Sequence, residues 1–284
     1  MSTRSVRPPA PTLATRRPSG GRGFTLIVST RSVRPPAPTL ATRRPSGGRG
    51  FTLIEFLVVV AVIALLIALL LPLSRSGGRE AARRAQCTNN LKQIARAILA
   101  YQDEHQALPP AYTVGPDGRP LHSWRTLILP YLQQGSLYDS IDLSKPWDDP
   151  VNARAGETAL AVFQCPSGSQ ALPNATTYLA SVGVESALAP DRARPPSEIT
   201  DGLASTLLVI EAGEENAVPW MAPADADEAR IRKIGPESKL THPGGVNAAL
   251  LDASAHFYKT TMPPEQRRAL ITIAGGEKAD LSEL

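Results

Sequence analysis

Few residues of this chain have the types and spacing for chemistry. Glu55 is a single carboxylate set just ahead of residues 56–73, which carry no charge. An acid drawn to the middle of a membrane costs about 2.5–3.5 kcal/mol, so Glu55 calls for a positive partner, the alternative being a solvated carboxylate at the interface. The two cysteines, Cys87 and Cys165, can bridge or can lie as two buried free thiols. His242 and Asp252 are separated by nine residues. Two ligands alone make no metal site, so this pair reads as a structural buttress at the entry to a hairpin, with no metal and no cofactor expected. None of the four histidines (His105, His122, His242, His256) falls in H-E-x-x-H or beside a G-x-S-x-G elbow or P-loop, and the runs Gly20-Gly21 and Gly275-Gly276 complete no phosphate cradle. No enzyme activity is expected. With aromatics at 5% of the chain, Trp124, Trp147 and Trp220 read as core anchors rather than as a ligand surface.

The elements that must position these residues begin with the apolar run. Residues 56–73 span roughly 27 Å as a helix, about the hydrocarbon thickness of a bilayer, which predicts a single membrane pass. Residues 1–50 hold ten arginines and no acidic residue or lysine, whereas the far flank offers Arg75, Arg79, Arg83 and Arg84 diluted by Glu80. That asymmetry keeps the N-terminus cytoplasmic and sends the remainder across. Without those ten arginines the whole-chain charge of +4 becomes −6. The sequence pI of about 9.2 is therefore a property of the first 50 residues, and nucleic-acid binding is not expected.

Residues 2–27 recur letter for letter as 29–54, with Met1 against Val28 the one difference in the 27-residue period. Identity over a Pro/Arg/Gly-rich stretch with no core to preserve indicates a recent tandem duplication rather than a structural repeat. A GTG codon, read as Met at initiation and Val internally, accounts for the mismatch and allows a start at position 28. The first copy, Gly23 to Ile27, is followed by Val28-Ser29-Thr30-Arg31 and has no apolar helix behind it, so it is expected to be inert. The whole leader is expected to be disordered.

Pro72 and Gly77-Gly78 predict a bend or local break near 72–78. Beyond it, Cys87, Leu91, Ile94, Ile98 and Tyr101 follow a four-three-four-three spacing, the pattern of an amphipathic helix with one buried stripe that ends near His105 to Leu108, before Pro109-Pro110. Leu127–Leu132 reads as a buried helical turn, Leu207–Ile210 as a strand, and Val246–Leu251 with Ala255–Tyr258 as two strands around a turn. Proline-rich pieces such as 190–196 and 219–223 read as surface loops. The fold class is α+β: one long helix laid on an antiparallel sheet with loop elaborations, over a leader (1–50), a long helix whose N-terminal half is transmembrane (51–105) and one globular domain (106–284).

The run Gly50-Phe51-Thr52-Leu53-Ile54-Glu55, with its apolar helix and arginine-rich approach, resembles a type IV prepilin processing site. The resemblance implies cleavage between Gly50 and Phe51 by a prepilin peptidase, N-methylation of Phe51, and pairing of Glu55 with the N-terminal amine of a subunit in an assembly. More narrowly, Arg84-Ala85-Gln86-Cys87-Thr88-Asn89-Asn90-Leu91, Ser123-Trp124-Arg125, Trp147-Asp148-Asp149-Pro150, Phe163-Gln164-Cys165-Pro166-Ser167 and His242-Pro243-Gly244-Gly245 resemble a bacterial family of prepilin-like proteins. Its C-terminal domain is of unknown function and carries an H-x9-D-G signature. Where that family has Asp-Gly, this chain has Asp252-Ala253. Alanine there costs of order 1 kcal/mol unless the turn has another geometry, and a drifted turn is the cheaper explanation than lost activity.

The resemblance implies an exported pilin-like or pseudopilin-like structural subunit of a type IV pilus or type II secretion assembly. Its partners are the prepilin peptidase, other pilin-like subunits, the secretion or pilus machinery and the membrane. It sits in the cytoplasmic membrane with its C-terminal domain periplasmic, reaching the cell surface if assembled. The alternative is a membrane-anchored ligand- or surface-binding module that uses the helix only as an anchor; a DNA-uptake pilin draws no support from an acidic mature chain. Export places Cys87 and Cys165 in an oxidising compartment, where a bridge closing a loop of about 78 residues contributes roughly 4 kcal/mol at most.

Overall fold

The structure, a computed structural model, describes residues 50–70, 75–168, 173–277 and 279. Residues 1–49 of the expected leader lie outside them, as do residues 72–74 at the start of the expected bend. The chain divides into two units, Met1–Leu65 and Leu66–Leu284.

Helix α1 (Leu53–Leu70) is apolar apart from Glu55 and has no polar face. Every side chain from Phe51 to Ile67 is exposed. A helix hydrophobic on all sides is stable only when something apolar surrounds it. Among the described residues no helix is long and apolar enough to cross a membrane; the uncharged run 56–73 continues into 71–73, which lie outside them.

Helix α2 (Arg75–His105) runs through Gly77-Gly78 without interruption, so the glycines do not break it. Its stripe is buried as the spacing requires, with Cys87, Leu91, Ile94 and Ile98 fully enclosed, while Tyr101 is half-buried against the same core. The remaining elements are β1 (Tyr112–Val114), β2 (Pro120–Ser123), α3 (Trp124–Leu127), α4 (Gly135–Tyr138), α5 (Ala153–Gly156), β3 (Ala175–Thr176), β4 (Tyr178–Ala180), β5 (Leu207–Glu211), β6 (Val218–Pro219), α6 (Glu228–Arg232), β7 (Gly245–Leu250), β8 (Ala255–Lys259) and α7 (Pro264–Ile271).

One antiparallel sheet has the order β4-β5-β7-β8; the pairs β1-β2 and β3-β6 are also antiparallel. Helix α2 packs on β5, β7 and β8. The architecture is the expected α+β, pilin-like arrangement of a long helix on an antiparallel sheet with loop elaborations. β5 and β7 are buried along their whole length because both faces of the sheet are covered: α2 and its core lie on one, and Leu179, Ile210, Ile231, Met262 and Leu270 cluster apart from it.

The tryptophans divide. Trp124 and Trp220 are enclosed, edge-on to and stacked with Phe163 respectively. Their indole N–H groups donate to Asp225 Oδ1 at 3.0 Å and to the Thr158 carbonyl at 3.0 Å, as buried indoles require. Trp147 is half-buried against the same core.

Candidate functional site

Two groups of residues carry the candidate chemistry, one at the start of α1 and one under α2. At the first, Thr52 precedes α1. Its hydroxyl accepts from the Glu55 N–H at 3.3 Å while Glu55 Oε2 accepts from the Thr52 N–H at 2.8 Å and from its hydroxyl at 2.9 Å. This is a capping box, in which Thr and Glu three apart satisfy the orphan amides of a helix start. The T-x-x-E spacing ahead of an apolar run was open to reading in the sequence, but the two expectations for Glu55, a partner in an assembly and a solvated carboxylate at the interface, did not include the cap. Gly50 and Phe51 are both exposed, and a Cβ added at Gly50 meets nothing within 4 Å. Among the described residues nothing demands glycine at 50.

The second group converges from five segments. Cys87 projects from the buried stripe of α2, and Cys165 follows the turn 161–163. Asn90, one turn further along α2, holds that turn by donating to the carbonyls of Ala161 at 3.2 Å and Gln164 at 3.0 Å. The two sulfurs lie 2.8 Å apart as free thiols. Glu211 ends β5, fully buried, with Oε2 accepting from Asn247 Nδ2 at 2.7 Å; Asn247 Oδ1 in turn accepts from the Thr88 hydroxyl at 3.1 Å.

His242 enters just before β7 through an isolated bridge to Gly245. The two glycines between explain that approach. Gly244 has φ = +82°, and a Cβ on Gly245 would sit 2.3 Å from the Tyr258 carbonyl of β8, so neither position accepts a side chain without distortion.

The imidazole Nε2 faces Cys87 Sγ at 3.2 Å, Cys165 Sγ at 3.5 Å and Glu211 Oε2 at 3.4 Å. On the other side of the ring, Nδ1 donates to Glu80 Oε1 at 2.6 Å, and Ser167 donates to the same carboxylate. Burial opposes the imidazolium, but hydrogen bonding to Cys165 and the Glu211 and Glu80 carboxylates outweigh it and push His242 up to about 9. The His242 hydrogen bond holds Glu80 below the usual carboxylate range, against its desolvation. The Cys87 hydrogen bond and burial push the Cys165 thiol up. A buried ring between two carboxylates thus makes a pocket that favours one positive charge.

The His242–Asp252 pair read from the sequence does not come together. Strand β7, six residues and therefore about 20 Å, separates them. Asp252 sits in the β7–β8 turn, where Oδ1 accepts from the Ser254 N–H at 2.8 Å. Asp252 thus serves the hairpin, while His242 serves the cluster under α2. The expected drift of that turn is also corrected: Ala253 has φ = +62°, the left-handed conformation that favours glycine, so the turn keeps its geometry and alanine bears the cost.

Sequence reasoning missed Glu80 and Glu211 as partners of His242. Glu211 was visible as an acid closing an apolar strand, a pattern that asks for a buried counter-charge. Glu80 gave no such signal, being one acid in an arginine-rich turn.

Comparison with known proteins finds two family models in the chain. The prokaryotic N-terminal methylation motif matches residues 46–71, and the protein of unknown function (DUF1559) matches residues 76–194. No curated protein and no solved structure compared with the chain matches it. The first match contains Gly50, Phe51 and Glu55; the second contains Cys87 and Cys165 and ends before Glu211 and His242. The chain is prepilin-like, with a domain of unknown function following the methylation motif.

Proposed function

From a prepilin-type methylation motif followed by a domain of unknown function, we propose an exported, non-catalytic structural subunit of a pilin-like or pseudopilin-like assembly. Prepilin peptidase cuts it between Gly50 and Phe51. The uncharged run 56–73 anchors it once in the cytoplasmic membrane, N-terminus inside and C-terminal domain periplasmic, until neighbouring subunits replace lipid around α1. The observation that carries this reading is α1 itself: an apolar helix with every described side chain exposed, lying within the matched motif directly after Gly50-Phe51. Lipid or the matching helices of other subunits supply the cover that such a surface needs.

Glu55 fits both states. A carboxylate has about four lone-pair sites, so the two hydrogen bonds from Thr52 leave acceptor capacity for the Phe51 amine of a neighbour.

Two substitutions in the natural host test the reading. With Gly50→Val, the cell should accumulate a form larger by the 50-residue leader, visible as a gel shift. Because a Cβ there meets nothing within 4 Å, failure to cut reports on the peptidase and not on folding. Glu55→Val should leave insertion and cutting largely intact yet be missing from sheared filaments or purified pseudopili. Incorporation of Glu55→Val at the normal level would remove the role given to that carboxylate.

A further inference from the structure

We propose that Cys87, Cys165, Glu211 and His242 together bind one divalent transition-metal ion of the zinc type. Their ligand atoms all lie within 4.8 Å of one another and all four residues are buried. They come from four separate segments, α2, the loop after the turn 161–163, the end of β5 and the approach to β7, so their convergence is not a consequence of sequence proximity. Two sulfurs, one imidazole nitrogen and one carboxylate oxygen form a borderline-soft donor set of four, the number of a closed structural site with no position left for substrate.

Two further observations point to a cation. Glu211 Oε1 is buried with no hydrogen-bond partner, an acceptor whose desolvation costs about 1–3 kcal/mol unless a positive centre faces it. His242 turns Nε2 toward the sulfurs and Glu211 while Nδ1 is held by the Glu80 carboxylate at 2.6 Å. That second hydrogen bond keeps a proton on Nδ1, so the nitrogen that gives up its proton to a metal is Nε2, the arrangement by which a carboxylate orients a metal-ligating histidine. A disulfide between the cysteines would account for the sulfurs alone.

On binding, each thiol releases its proton to solvent and coordinates as thiolate, Glu211 coordinates as carboxylate, and the His242 imidazolium gives up its Nε2 proton to solvent and coordinates as the neutral ring. The ion and its four ligands then carry one net negative charge. Metal–sulfur bonds of about 2.3 Å in a tetrahedron put the sulfurs roughly 3.8 Å apart, so uptake moves them about 1 Å further from each other than in the free site. The ion would tie α2 to the sheet at the point where β5 and β7 meet the helix. The inference is independent of the assembly reading, since it concerns only the folded domain.

The full chain, purified in detergent under reducing conditions without chelator, provides the test. One zinc per chain by elemental analysis is expected. Cobalt(II) in its place should give sulfur-to-cobalt charge transfer in the near ultraviolet and the intense visible bands of a tetrahedral ion. Glu80→Gln leaves every ligand in place and should weaken zinc binding about 10–100-fold with unchanged circular dichroism; Cys165→Ser should weaken the charge-transfer band, leaving only the contribution of Cys87, and the double change Cys87→Ser with Cys165→Ser should remove it. A folded, reduced wild-type chain that takes up no zinc, or whose cobalt form shows no sulfur charge transfer, overturns the proposal. So does a Cys87–Cys165 disulfide in the protein isolated from its native compartment.

Discussion

At Ala253 the chain holds an L-residue at φ = +62°, in the turn that Asp252 closes by accepting from Ser254. A left-handed alanine costs about 1–2 kcal/mol, and glycine recovers part of that at the expense of a more flexible unfolded chain. Ala253→Gly should therefore raise stability by about 0.5–1 kcal/mol, a shift of roughly 1–3 °C in the thermal midpoint. A lower midpoint would mean that the turn relaxes away from the left-handed conformation in solution. The sequence already posed this question, because an Asp-Ala where Asp-Gly is expected either strains the turn or changes it. Only φ decides between the two, and no local pattern reports φ. His242 shows the same limit: its residue type and its place before Gly244-Gly245 were legible, but the groups it faces stand 162, 155, 77 and 31 residues away and were not.

At the scale of elements, periodicity did most of the work that sequence can do. The stripe of α2 and strands β5, β7 and β8 follow from apolar spacing between glycine and proline punctuation and lie within a residue of where that spacing placed them, while the turn expected over Leu127–Leu132 forms at Leu129–Leu132. What joins them is polar and was not visible. Arg125, fully enclosed at the start of α3, donates to Asp225 Oδ1 at 2.7 Å, to the Tyr178 carbonyl at 2.9 Å and to the Ser123 hydroxyl at 2.7 Å. Asp225 Oδ1 also accepts from the Ala180 N–H at 2.8 Å, so one ion pair links α3 to β4 and to the segment before α6. Burial pushes Asp225 up and Arg125 down while their attraction opposes both shifts, the mark of charges held together inside the protein. Asp225→Ala strands the guanidinium and should cost about 3–5 kcal/mol in urea unfolding, whereas the double change Arg125→Met with Asp225→Leu should cost much less. Equal losses in the single and double variants would show that packing, not the unpaired charge, dominates.

Across the whole molecule, charge and apolarity are segregated along the chain. Ten arginines precede Gly50, an uncharged run follows Glu55, and the remainder carries the acidic balance, so removal of residues 1–50 would convert a chain of +4 into one of −6. This organisation was the most legible part of the sequence because it depends on composition and order rather than on folding. The domain beyond α2 was legible as an α+β class but not as a site, since its buried cluster forms only when β5, β7 and α2 come together. Processing is the step on which the proposed subunit depends, and mass spectrometry of the N-terminal peptide of the protein from its natural host reads it directly. A chain beginning at N-methyl-Phe51 is the expected result; a chain that still carries its leader through Gly50 would contradict it.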